Sequence, residues 1–177
     1  MRADGVRNRR KVLDTAKAVF AAEGLSVPVA EIARRAGVGT GTVSRHFPTK
    51  EALYEAIVLE QVEALVARAG QLDLLAYLEH LVTVAAEHRG LAEALAGAGF
   101  DVGAAAARTG LDLDGAETAL LHAAQRAGTV RADVTLADVK ALVVGCVARE
   151  QAGPDPQARA RMVAMMKAGL RTLDMNS

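Results

Sequence analysis

The chain has 177 residues, 51% of them hydrophobic, with no Trp, three Phe, two Tyr and a single Cys. These figures exclude a disordered chain and a disulfide-stapled module, and leave a globular protein whose core must be built from Ala, Leu and Val; such composition, with few strand signals, predicts helices. The formal charge of zero hides an asymmetry: residues 1–50 carry ten bases and four acids, net +6, and the remainder eleven bases and seventeen acids, net −6.

In chain order, Arg7, Arg9, Arg10 and Lys11 form a basic arm before the first apolar periodicity. Val12, Leu13, Ala16, Val19 and Phe20 then fall at helical spacing, and Gly24 ends this first helix. Pro28 suits the first position of a second helix, where its missing N–H costs little. Within Glu31 to Leu53, EIARRAGVGTGTVSRHFPTKEAL, the segment Glu31–Ala36 reads as one helix and Thr40–Phe47 as the next. Gly37, with no Cβ, takes the left-handed position between them, and Val38 tucks into the corner. That is a helix-turn-helix. Pro48 and Thr49 stop its second helix, and Thr49 caps a long fourth helix from Lys50 to about Ala69, whose stripe of Leu53, Ile57, Leu65 and Val66 suits a lever between two lobes.

Beyond Gly70, a fifth helix is predicted from Leu72 to about His88, interrupted by Gly90. Glycines at 90, 97, 99, 103, 110 and 115 predict short helical pieces with flexible joints. Asp112 or Asp114 caps a helix ending near Ala127, and Thr135 caps another from Leu136 to about Glu150. Pro154 and Pro156 precede a last helix, Gln157 to Leu173. Ala141, Gly145 and Ala148 share one side of the first of these two, and Met162, Met166, Gly169 and Leu173 form an apolar seam on the second. Periodicity alone leaves open whether these are core or a subunit interface. The longest apolar stretch, Ala141 to Ala148, is far short of the roughly 20 residues of a membrane helix, and MRADGVRNRRK has no apolar signal region, so a soluble cytoplasmic protein without membrane partners is expected.

In a helix-turn-helix DNA reader the second helix enters the major groove. Its exposed side chains would be Thr40, Thr42, Ser44, Arg45 and His46, with Gly41 on the same helix. Thr40, Thr42 and Arg45 suit base or near-base contacts. Ser44, His46, Lys50, Arg7 and Arg9 suit phosphates, which set register rather than sequence. The bland alternative is that the motif is plain packing and Arg34, Arg35 and Arg45 a solvated face, but the +6 segment carrying it favours DNA.

From about Arg9 to Ala56 the chain resembles the DNA-binding domain of the tetracycline-repressor (TetR) family of bacterial transcriptional regulators. The likeness lies in AKAVFAAEG with Ala16, Phe20 and Gly24, in IARRAGV, and in GTVSRHFPTKEAL with His46, Phe47, Lys50 and Leu53. Ser44 stands where the family commonly has Tyr, and Pro28 where it has Thr; a serine can donate to a phosphate but cannot make a tyrosine's apolar base contact, so operator sequence does not carry over. The resemblance implies an all-α protein: a three-helix helix-turn-helix domain, residues 1–49, and a helical ligand-binding and dimerisation domain, residues 50–177. It further implies a ligand-responsive repressor acting on a palindromic duplex operator as a homodimer, paired through the last two helices, about 136–150 and 157–173. Its effector would be a small apolar molecule in the C-terminal domain, where Tyr77 and Phe100 are the only aromatics and stacking contributes little. Leu81, Val84, Phe100, His122, Val143 and Cys146 are candidate lining, or else plain core.

The rival class, an enzyme or metal carrier, finds little support. Cys146 lies in an apolar run without a base beside it. His80 and His88 are eight residues apart on one predicted helix, about 12 Å, too far to share a zinc ion. No phosphate loop, HExxH motif or paired-carboxylate spacing occurs, so no catalytic residue, metal or cofactor is expected. A second rival is a small-molecule carrier or interaction module with a vestigial helix-turn-helix.

Overall fold

The computed structural model describes residues 2–149, 153 and 155–172, so Glu150, Pro154 and Leu173 lie outside the described residues. Within them the chain is all-α, as expected: α1 (Arg2–Glu23), α2 (Val29–Ala36), α3 (Thr40–His46), α4 (Lys50–Ala69), α5 (Leu74–Glu87), α6 (Arg89–Gly97), α7 (Val102–Arg108), α8 (Leu113–Arg126), α9 (Leu136–Ala148) and α10 (Pro156–Leu170). Packing divides them into two compact units. One is Met1–Glu63 with His88–Leu111, and the other is Ala64–Glu87 with Asp112–Ser177. The expected cut after Thr49 separates functions along the chain, whereas the packing boundary falls inside α4 and returns α6 and α7 to the first unit.

The first unit is built on α1, whose Val12, Leu13, Ala16 and Phe20 are all at most 1% exposed. Helix α1 begins at Arg2, so Arg7 and Arg9 are helical rather than a preceding arm. The reason is local: Arg, Lys and Ala are strong helix formers, Asp4 sits in the first turn, and Asp4 pairs with Arg7 one turn on. Phe20 meets Tyr54 of α4 edge-on at 5.3 Å between ring centroids, and Tyr54 meets Phe100 at 5.7 Å. Each such pair contributes about 0.5–1.5 kcal/mol beyond its buried area. Gly90 proves not to be the break after α5. The chain leaves the helix at His88, and Gly90 lies in the first turn of α6, where a Cβ would stand 3.1 Å from the Ala21 carbonyl oxygen of α1. Close helix approach, not a stop, is its use.

In the second unit α5 packs against α8, α9 and α10, around Leu74, Tyr77, Leu78, Val82, Leu121, Val139, Val143, Cys146, Val163, Met166 and Leu170. Short polar side chains start the helices much as read. Thr49 accepts from Ala52 N–H at 3.0 Å, Asp112 from Gly115 N–H at 2.8 Å, and Thr135 forms a reciprocal capping box with Asp138. Asp73 and Asp155 do the same for α5 and α10. Pro28 sits at the N-cap of α2, one position before the expected one, and Pro156 takes the first helical position of α10. On α10 the methionine seam is turned inward: Met166 is 4% exposed and Met162 half-buried, while Ala164, Met165 and Ala168 face out. Adjacent stripes of an Ala- and Met-rich helix look alike to periodicity, and only packing selects one.

The turn between α2 and α3 rests on Gly37, at φ 67 and ψ 34, with Val38 N–H bonded to Ala33 O at 3.0 Å. A Cβ there would touch nothing within 4 Å, so the cost of a substitution is conformational alone. Gly37→Ala is therefore expected to lower unfolding free energy by about 1 kcal/mol. Chemical denaturation of both proteins, monitored by circular dichroism, reads this difference, and equal midpoints would contradict it.

Candidate nucleic-acid interface and effector cavity

Helix α3 is seven residues long and turns two side chains inward, Val43 at 0% and Phe47, just past its end, at 4% exposure. With 43 and 47 one turn apart on the same side, the remainder must point out. Thr40, Gly41, Ser44, Arg45 and His46 are exposed and Thr42 is half-buried. Arg45 makes no hydrogen bond or ion pair among the described residues.

Arg9 is brought to the same end of the motif. Its guanidinium lies over the Phe47 ring at 5.4 Å from the centroid, and Arg9, His46 and Phe47 share a surface groove with Arg108. Arg7 is exposed and held to Asp4 at 3.1 Å. Lys50 is drawn inward: its ammonium donates to the Leu25 carbonyl and lies 5.9 Å from the Phe20 ring centre. It ties down the segment after α1, an internal use that its place in the motif did not reveal.

Arg34 and Arg35 are occupied elsewhere. Glu31 accepts from Arg34 at 2.6 and 2.7 Å and from Arg35 Nε at 2.7 Å, and Arg35 also donates to Glu23. This cluster fixes α2 against the end of α1. The two guanidiniums, Arg34 first, lower the Glu31 carboxyl from an ordinary 4.5 to about 2.

A cavity of about 260 Å³ opens in the second unit between α5, α8 and α9. Leu74, Leu78, Leu81, Leu113, Leu136, Val139, Val143 and Val144 give it apolar walls, and Tyr77, Glu117 and Lys140 its polar groups. Of the six candidates, Leu81 and Val143 line it. Cys146 is core at 2% exposure, with burial pushing its thiol pKa up. Val84 lies half-buried on α5, His122 is exposed on α8, and Phe100 belongs to the first unit against Tyr54. Sequence reasoning missed Glu117, 6% exposed, whose carboxylate accepts the Tyr77 hydroxyl hydrogen bond at 2.8 Å. The signal was present: Leu113, Glu117 and Leu121 are one turn apart, a charge set in an apolar stripe. Burial raises the Glu117 carboxyl above its ordinary value, and desolvation beside this acid raises the Tyr77 phenol. Among the described residues no cluster of His, Cys, Asp and Glu could hold a metal ion, and no helix is long and apolar enough to cross a membrane.

A short, outward-facing helix clamped by a glycine turn, on a basic segment, defines a helix-turn-helix DNA-binding protein. Residues 12–57 match the family described as bacterial regulatory proteins, tetR family, and residues 69–172 match the transcriptional regulator SbtR-like, C-terminal domain. Among solved structures, a TetR transcription regulatory protein from Mycobacterium vanbaalenii is 44% identical, with 97% of this chain and 99% of that one covered and a TM-score of 0.71. A TetR transcriptional regulator from Streptomyces coelicolor is 33% identical over 92% and 98% of the two chains, with a TM-score of 0.70. No curated protein matches the chain. The chain belongs to the TetR family of bacterial transcriptional regulators, which are DNA-binding proteins and not enzymes. That membership decides against a carrier with a vestigial motif.

The Glu31 cluster carries a pH signature. A carboxyl held at about 2 instead of 4.5 stabilises the folded state fully above pH 4.5 and loses that contribution as pH falls toward 2. In Glu31→Gln the acid limb of the stability profile should flatten over this interval. Parallel acid limbs in urea titrations of the two proteins would show that the cluster does not hold the fold.

Proposed function

We propose that this regulator is a cytoplasmic, ligand-responsive repressor that binds a near-palindromic operator as a homodimer. The observation that carries the DNA half is Arg45, exposed and free of partners among the described residues, on an α3 whose orientation is fixed by Val43 and Phe47. Thr40, Thr42 and Arg45 read base edges, and Ser44, His46, Arg7 and Arg9, with Gly41 allowing close backbone approach, meet phosphates. Lys50 serves phosphate only with the donors its bond to Leu25 leaves free. Residues 1–49 form the reading domain and 50–177 the sensing and pairing domain.

The dimer half is supported by the outer faces of α9 and α10. Of the four large apolar side chains most exposed among the described residues, Leu142, Val144 and Met165 lie on these two helices. Ala141, Gly145 and Ala148 stand beside them, all exposed, and a Cβ on Gly145 would meet nothing within 4 Å. Small residues flanked by exposed apolar ones suit a closely packed helical seam against a second copy, and two-fold dimers are the commonest closed oligomers. The apolar cavity beside α9 is the effector site of this reading. A ligand there changes operator affinity only through its differential affinity for the DNA-binding and DNA-free conformations.

Selection of random duplex DNA by the purified protein tests the DNA-binding and dimer halves of this reading, and enrichment of a palindrome is the expected result. No enrichment, or an asymmetric site, would overturn it. On the selected duplex, Arg45→Ala should cost about 1–3 kcal/mol if the side chain reads a base, whereas a phosphate contact would instead reduce the salt slope by about one unit. Gel shifts at several salt concentrations distinguish these, and unchanged affinity at all of them removes Arg45 from the interface.

Gly145→Leu tests the seam cleanly, because open space around Gly145 within the chain lets the fold accept the larger side chain. Sedimentation of wild type and variant should show dimer giving way to folded monomer. Two dimers of equal stability would place the interface elsewhere.

A further inference from the structure

The cavity described above is not merely apolar. Its walls are Leu and Val, yet one end holds a carboxylate that is 6% exposed. Removing a carboxylate from water costs several kcal/mol unless partners compensate. Glu117 has one such bond, from the Tyr77 hydroxyl to Oε1 at 2.8 Å. The second oxygen, Oε2, accepts no hydrogen bond among the described residues; its nearest cation, Lys140 Nζ, is 4.0 Å away. That ammonium is committed to Asp114 at 2.6 Å on the exposed side of α8. The cavity's charged groups are thus one acid and one base, Glu117 and Lys140, and Oε2 of the buried acid accepts no hydrogen bond among the described residues.

Resting on the reading of this cavity as the effector site, we propose that it selects an apolar molecule bearing a cationic hydrogen-bond donor, such as an alkylamine, whose ammonium binds Glu117 Oε2 while its hydrocarbon lies along Leu78, Leu81, Val139 and Val143. The donor count supports this polarity. Tyr77 already donates to Glu117, so an incoming acceptor finds only Lys140, whose ammonium it must share with Asp114 and with the Glu117 carboxylate beside it. An incoming anion, moreover, meets the Glu117 carboxylate, whose nearest cation stands 4.0 Å away, in a low-dielectric wall. An incoming ammonium meets an acceptor with a vacant lone pair and forms a charge-assisted bond. The neutral homologue, an alcohol, gains the apolar contact and a weaker bond.

Isothermal titration at pH 7 of the full-length protein with octylamine, 1-octanol and octanoate tests this, because the three share one hydrocarbon and differ at the head group. The expected order is amine tightest and acid weakest, with at least about tenfold between them, the loss typical of one charged hydrogen bond. Glu117→Gln keeps an acceptor for Tyr77 and should collapse the preference for amine over acid while changing octanol binding least. If this variant does not fold, Lys140→Met at an exposed position carries the test, since amine binding should tighten when the competing cation leaves. Equal binding of the three, tighter binding of octanoate, or amine binding that Lys140→Met leaves unchanged or weakens overturns the head-group inference alone. Binding by none of them overturns both it and the effector reading. The expected order with no effect on the selected operator duplex supports the inference and removes the cavity from regulation.

Discussion

A seven-residue helix has no stability of its own in water, because nucleation fixes more dihedrals than its few hydrogen bonds repay. Everything α3 presents to solvent therefore depends on its attachment. Val43 is anchored inside the first unit and Phe47 closes the end, and both are almost wholly buried. Gly37 sets the direction by which the chain enters, and the Glu31 cluster with Arg34, Arg35 and Glu23 holds the preceding helix. A reading head is useful only if its side chains stand at fixed positions relative to a groove. The geometry is thus held by apolar packing, backbone conformation and charged groups of α1 and α2, leaving the polar residues of α3 uncommitted.

That division of labour explains how the positive charge is distributed. Exposed ion pairs add little stability, so an arginine held in one is chiefly a loss to DNA binding. The chain spends Arg34 and Arg35 on acids and lays Arg9 over an aromatic face, where the cation keeps its charge and its donors. Arg45 is left without a partner among the described residues. The net +6 of residues 1–50 already subtracts the four acids of the segment, and it is an upper bound on the charge available to phosphate because Glu60, outside the segment, also pairs with Lys17.

The fold class, the glycine turn, the outward face of α3 and the caps at Thr49, Asp112 and Thr135 were legible because each depends on residues within one or two turns of one another. What escaped depends on partners distant in sequence. Gly90 looks like a helix stop until the Ala21 carbonyl is seen 3.1 Å from where its Cβ would be. Lys50 reads as a phosphate ligand, and nothing near it in sequence shows that its ammonium also donates to the Leu25 carbonyl. Phe100 falls among the glycines between α6 and α7, and its ring packs on Tyr54 in the first unit. Met166 and Met162 form a good stripe, and nothing local tells that stripe from the one beside it. For Glu117 the default for a charged residue is solvent, and the contrary signal was only its register with Leu113 and Leu121.

The scarcity of aromatics bears on the proposed effector cavity. A core of Ala, Leu and Val fills space in small units, and where three helices diverge it leaves a gap that one large ring would otherwise close. Tyr77 is the aromatic that reaches this gap from α5, fully buried, and its hydroxyl is spent on Glu117. The gap therefore persists with a desolvated acid at its end, at a cost to the empty state. A core optimised for stability would place a leucine there, since replacing a buried polar pair by well-packed apolar groups is often neutral or stabilising. Under the proposed function that cost has a return, because a ligand that completes the carboxylate's hydrogen bonding stabilises the occupied conformation by relieving it. Only the part of that relief which differs between conformations can move a regulator from one to the other. Helix α4, whose residues belong to both compact units, is the continuous element through which such a difference could be carried along the chain.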